Sequence, residues 1–209
     1  MTTLTIMKAR IADEMARGDI PDIISNAIAS AIAYYQRQRF YFTETDSITF
    51  STVAAQFQYT SSDHASIPYL YDVNMMTVSV SSNNYEVRKI SPEEWRILHR
   101  TSTRGEPDSY CYWGQVIRLY PVPSDAWTIR IQAHVKLAAP ATDGEADNKW
   151  MIDAEELIRS RAKFNIYREV LNDPAGAAMA SAVEREALLS LNALSNSMAK
   201  TGFITPVQF

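Results

Sequence analysis

The chain's 209 residues, 46% hydrophobic and 21% charged, suffice for one large domain, or a domain with a sizeable insertion, that buries a real core. Only 6 glycines and 9 prolines argue against a linker-rich or disordered chain, and polar residues break every apolar run well short of the ~20 residues of a bilayer span. A formal net charge of −4 argues against a protein that wraps nucleic acid, because such proteins are usually basic.

A short helix is expected from about Leu4 to Met15, with Ile6 or Met7, Ile11 and Met15 on a weak apolar face. Gly18, within Arg17-Gly18-Asp19, is read as its left-handed C-cap; that reading outweighs the tripeptide's match to an integrin-recognition motif. Pro21 and Asp22 open a second helix, where a missing proline N–H costs nothing. Ile24, Ile28, Ala31 and Tyr35 recur at helical spacing, Ile23, Ala27 and Tyr34 widen the stripe, and the helix is expected to end within a few residues of Arg39.

From about Thr43 the period moves from 3.6 towards 2, with Ile48 and Phe50 alternating with Thr49 and Ser51. Val73 to Val80 and Tyr85 to Ile90 read as a hairpin around a polar turn, Ser81 to Asn84. Ser91-Pro92-Glu93-Glu94 is a capping box that opens one short helix, with Trp95, Leu98 and His99 on its inner side. Gln115 to Tyr120 reads as a strand, Pro121 to Asp125 as a turn, and Trp127 to Leu137 as its antiparallel return. On that return Ile129, Ile131, Ala133 and Val135 face inward, while Thr128, Arg130, Gln132 and His134 face water. The acidic excess sits here: residues 43–148 carry eight Lys/Arg against thirteen Asp/Glu, residues 1–42 five against four, and residues 149–209 seven against seven.

Residues 138–148 read as a solvated acidic loop, since Asp143, Glu145 and Asp147 alternate without the rest of a calcium-loop pattern. Helical periodicity returns with Asp153 and Glu156 as a second capping box ahead of Leu157, Ile158, Ala162, Ile166 and Val170. Asn172-Asp173-Pro174 breaks that helix and opens another that runs to about Lys200, whose alanine-rich first half is expected to pack closely on a neighbouring helix. The tail, residues 201–209, has a glycine and a proline that forbid helix, yet ends in large apolar side chains. The fold class is therefore α+β, with helices at both ends and an antiparallel β module between them that contains one short helix.

Signatures of catalysis are scarce. His64, His99 and His134 fall on three different elements with no metal-ligand spacing, so no metal or cofactor is expected. The single cysteine, Cys111, excludes an intramolecular disulfide framework and reads as a small buried side chain. Glu93, Glu94, Asp153, Glu155 and Glu156 are accounted for by helix starts, where the macrodipole favours negative charge. No charged segment followed by an apolar run and a small-residue cleavage site opens the chain, so a secretion signal is not expected.

The run AIAYYQRQRFYF, Ala31 to Phe42, interleaves rings with Arg37 and Arg39. It could stack on bases, or it could form a helix-to-strand corner locked by Tyr35, Phe40 and Phe42, the two phenylalanines sharing one face of an extended segment. The non-basic surroundings favour the corner.

The stretches LTIMKARIADEM and IISNAIASAIAYYQRQRFYF, the GQVIRLYPVP hairpin with its alternating partner strand, KWMIDAEELIRSRAKFNIY and a closing helix with an apolar tail resemble head-to-tail adaptor proteins of short-tailed bacteriophages, across nearly the whole chain. The resemblance implies a helical bundle built from residues 1–42 and 149–200, a β-rich insertion at 43–137, a linker at 138–148 and an extended tail at 201–209. It implies a ring, usually of about twelve copies, that sits beneath the portal protein, extends the channel for genomic DNA and meets the tail or nozzle protein. Arg37 and Arg39 then become candidates for inter-subunit bridges or for the channel wall, and the aromatic corner would fix the joint between body and β module. Phe203, Ile204, Pro206, Val207 and Phe209 become candidates for docking on the portal or on a neighbouring copy. Two other functions stay open: a binding module with Tyr110, Tyr112 and Trp113 around a sugar or protein ligand, and, with least support, a hydrolase.

Overall fold

The computed structural model describes residues 3–81, 83–99 and 102–198, and its fold is α+β. In chain order it contains α1 (Leu4–Glu14), α2 (Pro21–Tyr35), β1 (Glu44–Ser51), β2 (Gln58–Tyr59), β3 (Leu70–Val80), β4 (Asn83–Glu86), β5 (Arg88–Lys89), α3 (Pro92–Leu98) and β6 (Arg104–Gly105). There follow β7 (Ser109–Trp113), β8 (Val116–Tyr120), β9 (Val122–Pro123), β10 (Thr128–Val135), α4 (Lys149–Ile152), α5 (Glu155–Ile166) and α6 (Pro174–Met198). Residues up to Phe42, with those from Leu137 onward, make one compact unit; Thr43–Lys136 make a second.

In the helical unit, the Thr3 side chain accepts from the Ile6 N–H at 3.4 Å and starts α1, which buries Met7 and Ile11. The helix closes before Gly18. Ala16 takes the left-handed turn (φ 50°), with the Arg17 N–H donating to the Ala12 carbonyl at 2.9 Å. Gly18 is therefore not the cap. The Arg17 guanidinium donates to both carboxylate oxygens of Asp19, at 2.7 and 2.9 Å, and this pairing holds the Asp19 carboxyl below its ordinary range.

Helix α2 starts on Pro21 and buries Ile24, Ala27, Ile28, Ala31, Ile32 and Tyr35. Ile32 rather than Tyr34 completes the stripe. Tyr34 falls beyond its edge, exposed, with the Arg161 guanidinium 3.8 Å from its ring centroid.

The second capping box is not formed. Helix starts four residues before Asp153, where the Asn148 side chain accepts from the Trp150 N–H at 3.2 Å. Asp153 ends that turn, and α5 follows Ala154 with no side-chain cap. Leu157, Ile158, Ala162 and Ile166 are buried as expected, but Val170 is exposed, because a wider π turn, Tyr167–Leu171, shifts the phase. Asn172 (φ 49°) then reverses the chain, and Asp173 accepts from the N–H groups of Ala175 and Gly176 at 3.0 and 3.1 Å to start α6. A Cβ on Gly176 would lie 2.6 Å from the Tyr167 ring, so only glycine lets the two helices close here. Ala177 and Ala180 are buried on α6, which packs along α5 as its small residues predict.

The β unit has two four-stranded sheets, β1-β10-β3-β4 and β2-β8-β7-β5, and a short parallel pair, β6-β9. Ile48, Phe50, Met76, Val78, Ile129 and Ile131 of the first sheet share one core with Tyr59, Tyr110, Ile117 and Leu119 of the second. The expected β8–β10 hairpin does not exist. Gly114 and Gln115, both at φ 62°, form a two-residue turn that gives β8 to β7, and residues 121–127 carry the chain to the other sheet. Prolines 121 and 123 lack the N–H that a ladder needs.

The expected strand Tyr85–Ile90 is also divided. Its first part returns along β3, the Val87 N–H still donates to the Met76 carbonyl at 2.8 Å, and Arg88 and Lys89 then run parallel to β7. The pairing of β10 with β3 skips Asn74 and Tyr71, so the extra residues lie on β3; Ala133 stays inward as expected, and His134, its neighbour in the alternation, is buried against the Tyr71 ring instead of facing water. The Ser91 cap on α3 forms as read, its hydroxyl accepting from the Glu94 N–H at 3.0 Å.

Trp150 is fully buried in the helical core. Trp150→Ala should therefore cost about 3–5 kcal/mol in chemical denaturation followed by far-UV circular dichroism. A loss below about 1 kcal/mol would contradict this packing.

Candidate interaction surface

Residues 41–43 form a 3-10 turn, not the expected extended segment, because β1 begins only at Glu44. Phe40 and Phe42 still share one side: their rings stack at 5.3 Å, and both meet the Trp150 ring edge to face, at 6.3 and 5.3 Å. Tyr35 lies 6.5 Å from Phe40. All three predicted corner residues are buried in the helical unit and cannot offer a ring to a base. Arg37 and Arg39 lie exposed between them in sequence. The Tyr41 hydroxyl donates to Asp153 at 2.9 Å; burial, and then this bond, push its pKa up to about 12.

A polar cluster that the sequence reading missed joins three helices. The Tyr35 hydroxyl of α2 donates to the Glu184 carboxylate of α6, and the Arg161 guanidinium of α5 pairs with the same carboxylate at 3.3 Å. Glu184 is 7% exposed, and burial followed by the bond to Glu184 raises the Tyr35 pKa well above its ordinary value. The signal was present: Ala177, Ala180, Glu184 and Leu191 recur at helical spacing, and a glutamate on a buried stripe requires a cation.

Ion pairs also bind α1 to α5. Glu14 receives Arg159 at 3.0 Å and Lys163 at 2.5 Å, and Arg10 pairs with Glu155. The acidic loop is not merely solvated. Lys8 reaches Asp143 at 2.7 Å, the Thr5 N–H donates to the Asp143 carbonyl at 3.0 Å, and the Asn148 amide holds the Glu145 carboxyl below its ordinary range.

Several apolar side chains remain outside this core. On α6, Met179 is 74% exposed, Leu189 65% and Met198 61%, with Val183 and Leu194 near 40%. Met179 and Val183 border a groove of about 230 Å³ shared with Lys163 and Tyr167. A second groove, of about 120 Å³, lies between α2 and the end of α5, lined by Ile23, Ala27, Ile166 and Val170.

Cys111 is buried, and burial pushes its thiol pKa up, away from a reactive thiolate. His99 stacks on Trp95 with ring centroids 4.2 Å apart, and burial lowers its pKa. Among the described residues no group of His, Cys, Asp and Glu is arranged to hold a metal ion, and no helix is long and apolar enough to cross a membrane. Of the three aromatics considered for a sugar site, Tyr110 is buried, and the Tyr112 hydroxyl lies within hydrogen-bonding distance of the Ile67 and Leu70 carbonyls. Only Trp113 stands in solvent. The tail residues Phe203, Ile204, Pro206, Val207 and Phe209 lie outside the described residues.

The family model described as SU10 adaptor protein matches residues 1–205, both chain ends and the β unit included. The chain belongs to the SU10 adaptor protein family. It is a bacteriophage adaptor, as the resemblance in its helices and turns implied. No curated protein matches this adaptor.

Two outcomes follow from the buried groups of the adaptor. Glu184→Leu strands the Arg161 cation and should cost about 3–5 kcal/mol, while the double variant Glu184→Leu, Arg161→Met recovers most of the loss; equal losses would contradict the pairing. Tyr41 has its pKa raised in the folded state, so its contribution is complete below pH 10, the ordinary tyrosine value, and is lost as pH rises through about 12. The stability of Tyr41→Phe, measured by denaturant titration, should therefore fall less steeply than wild type above pH 10; parallel slopes would contradict the shift.

Proposed function

We propose that this SU10 adaptor protein is a non-enzymatic virion component, made in the host cytoplasm, that forms a ring of about twelve copies beneath the portal at the head–tail junction. The ring extends the channel for genomic DNA and offers the tail or nozzle protein its attachment surface. The family match over residues 1–205 carries this reading.

Physical features support it. A ring needs two different, complementary faces on each copy. The apolar strip around Met179 and Val183 on α6 and the groove beside Ile23, Ala27 and Val170 are proposed for these two faces. Apolar side chains left in water by one chain gain by being covered in a neighbour. Arg37 and Arg39, both exposed, are suited to bridging carboxylates of an adjacent copy or to lining the channel. A channel through which DNA must slide should not grip it without regard to sequence, and a net charge of −4 fits that need. The tail, with Phe203, Ile204, Pro206, Val207 and Phe209, is proposed to dock on the portal or on a neighbouring copy.

Co-sedimentation with the portal ring of the same phage tests the reading. The full chain should travel with the portal, and deletion of residues 201–209 should abolish this while circular dichroism stays unchanged. Full-chain adaptor that stays in the supernatant would overturn the portal reading, and undiminished binding by the deletion would overturn the tail's part in it. Met179→Asp should block assembly into rings while changing stability by no more than about 0.5 kcal/mol, as befits an exposed site.

A further inference from the structure

The second sheet of the β unit carries a groove that the adaptor reading leaves unused. Cys111 and Trp113, two apart on β7, share a face; Arg118 stands opposite Cys111 and Gln58 opposite Arg118. Helix α3 brings Trp95 and Arg96 alongside, and together these side chains line a groove of about 260 Å³. Trp113 is 62% exposed, although it sits on a hairpin held rigid by the two-residue Gly114-Gln115 turn. Arg118 is also held in place: its Nη1 donates to the Trp113 carbonyl at 2.8 Å, and its guanidinium lies 5.8 Å from the Trp95 ring centroid. Trp95 in turn stacks on His99, at 4.2 Å, and Phe57 joins the two rings, 4.5 Å from His99 and 5.8 Å from Trp95. Among the described residues lining the groove there is no carboxylate; of the acids on α3, Glu94 pairs with Arg88 at 3.2 Å, while Glu93 lies close enough to help raise the Cys111 pKa.

We propose that this groove binds an acidic segment of a partner protein, one that sets an aspartate or glutamate carboxylate beside an apolar or aromatic side chain. Hydrogen-bonding capacity chooses the ligand. Among the side chains that line the groove, Arg96, Arg118 and the tryptophans can only donate, and the Gln58 amide oxygen is the one strong acceptor. A sugar's hydroxyls both donate and accept, so most of their protons would go unmet. A carboxylate only accepts and matches a guanidinium fork. Tryptophan and arginine are also the residues on which protein interfaces concentrate their affinity. A nucleic-acid strand would need a basic surround, and residues 43–148 carry thirteen acids against eight bases. The groove lies wholly within the β unit, so the inference does not depend on ring formation.

Isothermal titration of the full chain tests it. Four probes are used: a capped pentapeptide of glutamates around one phenylalanine, its glutamine counterpart, glucuronic acid and oligo-dT. The glutamate peptide alone should bind, with tryptophan fluorescence changed and affinity falling as salt rises. Trp113→Ala and Arg96→Gln, both at exposed positions, should each weaken binding tenfold or more without moving the melting temperature. Should Trp113→Ala lower the melting temperature, Arg96→Gln decides. No binding by the glutamate peptide overturns the proposal, as does equal binding by its glutamine counterpart. Binding of glucuronic acid or oligo-dT in its place, or an isotherm unchanged in Arg96→Gln, does the same.

Discussion

The Glu184 carboxylate, 7% exposed on α6, meets the Arg161 guanidinium of α5 and the Tyr35 hydroxyl of α2. Helices from the two ends of the chain thus converge on one buried charge. Burying that charge costs several kcal/mol, which the ion pair and hydrogen bond offset only in one alignment. An apolar stripe alone would let α2 and α6 shift along α5 at little cost. The cluster therefore sets where Ala177 and Ala180 pack, and the aromatic group of Tyr35, Phe40, Phe42 and Trp150 continues from the same tyrosine.

That internal constraint determines what is left outside. With the buried stripe of α6 committed, Met179 and Val183 fall on its flank, and Leu189 on the opposite side. On α2 the same logic leaves Tyr34 out but covers its ring with Arg161, so that cation serves both the interior and the surface. The proposed ring asks for a chain that is stable by itself and yet keeps faces to be covered. A satisfied polar core beside uncovered apolar residues is one physical way to meet both demands.

Much of this was legible in the sequence, and the failures have local causes. Pro21 and the Ile24–Ile28–Ala31–Tyr35 spacing announced α2, and Ser91 with Glu94 announced α3, because caps and periodicity act within a few residues. Alternation revealed β10 but not its neighbours, since a period of two says which face is buried and nothing about which strand lies alongside. His134 was misplaced because the extra residue Tyr71 on β3 lays its ring against the imidazole, and a bulge on a neighbouring strand leaves no mark in β10's own alternation. Gly18 and Asp153 carried the right chemistry for caps, but Ala16 turns the chain closer to the end of α1, and Asp153 ends α4, which Asn148 caps, while α5 starts with no side-chain cap. Glu184 could have been found, as an acid on an apolar stripe; Arg161 and Tyr35 could not, since only the tertiary fold brings them to it.

The central claim is that this SU10 adaptor assembles as a closed ring on a portal. Mass photometry of the full chain, alone and with the portal ring of its own phage, tests it most directly. The account predicts one defined species whose mass corresponds to about twelve 23.6 kDa copies, formed alone or on the portal. A chain that stays monomeric at every concentration and leaves the portal mass unchanged would contradict it.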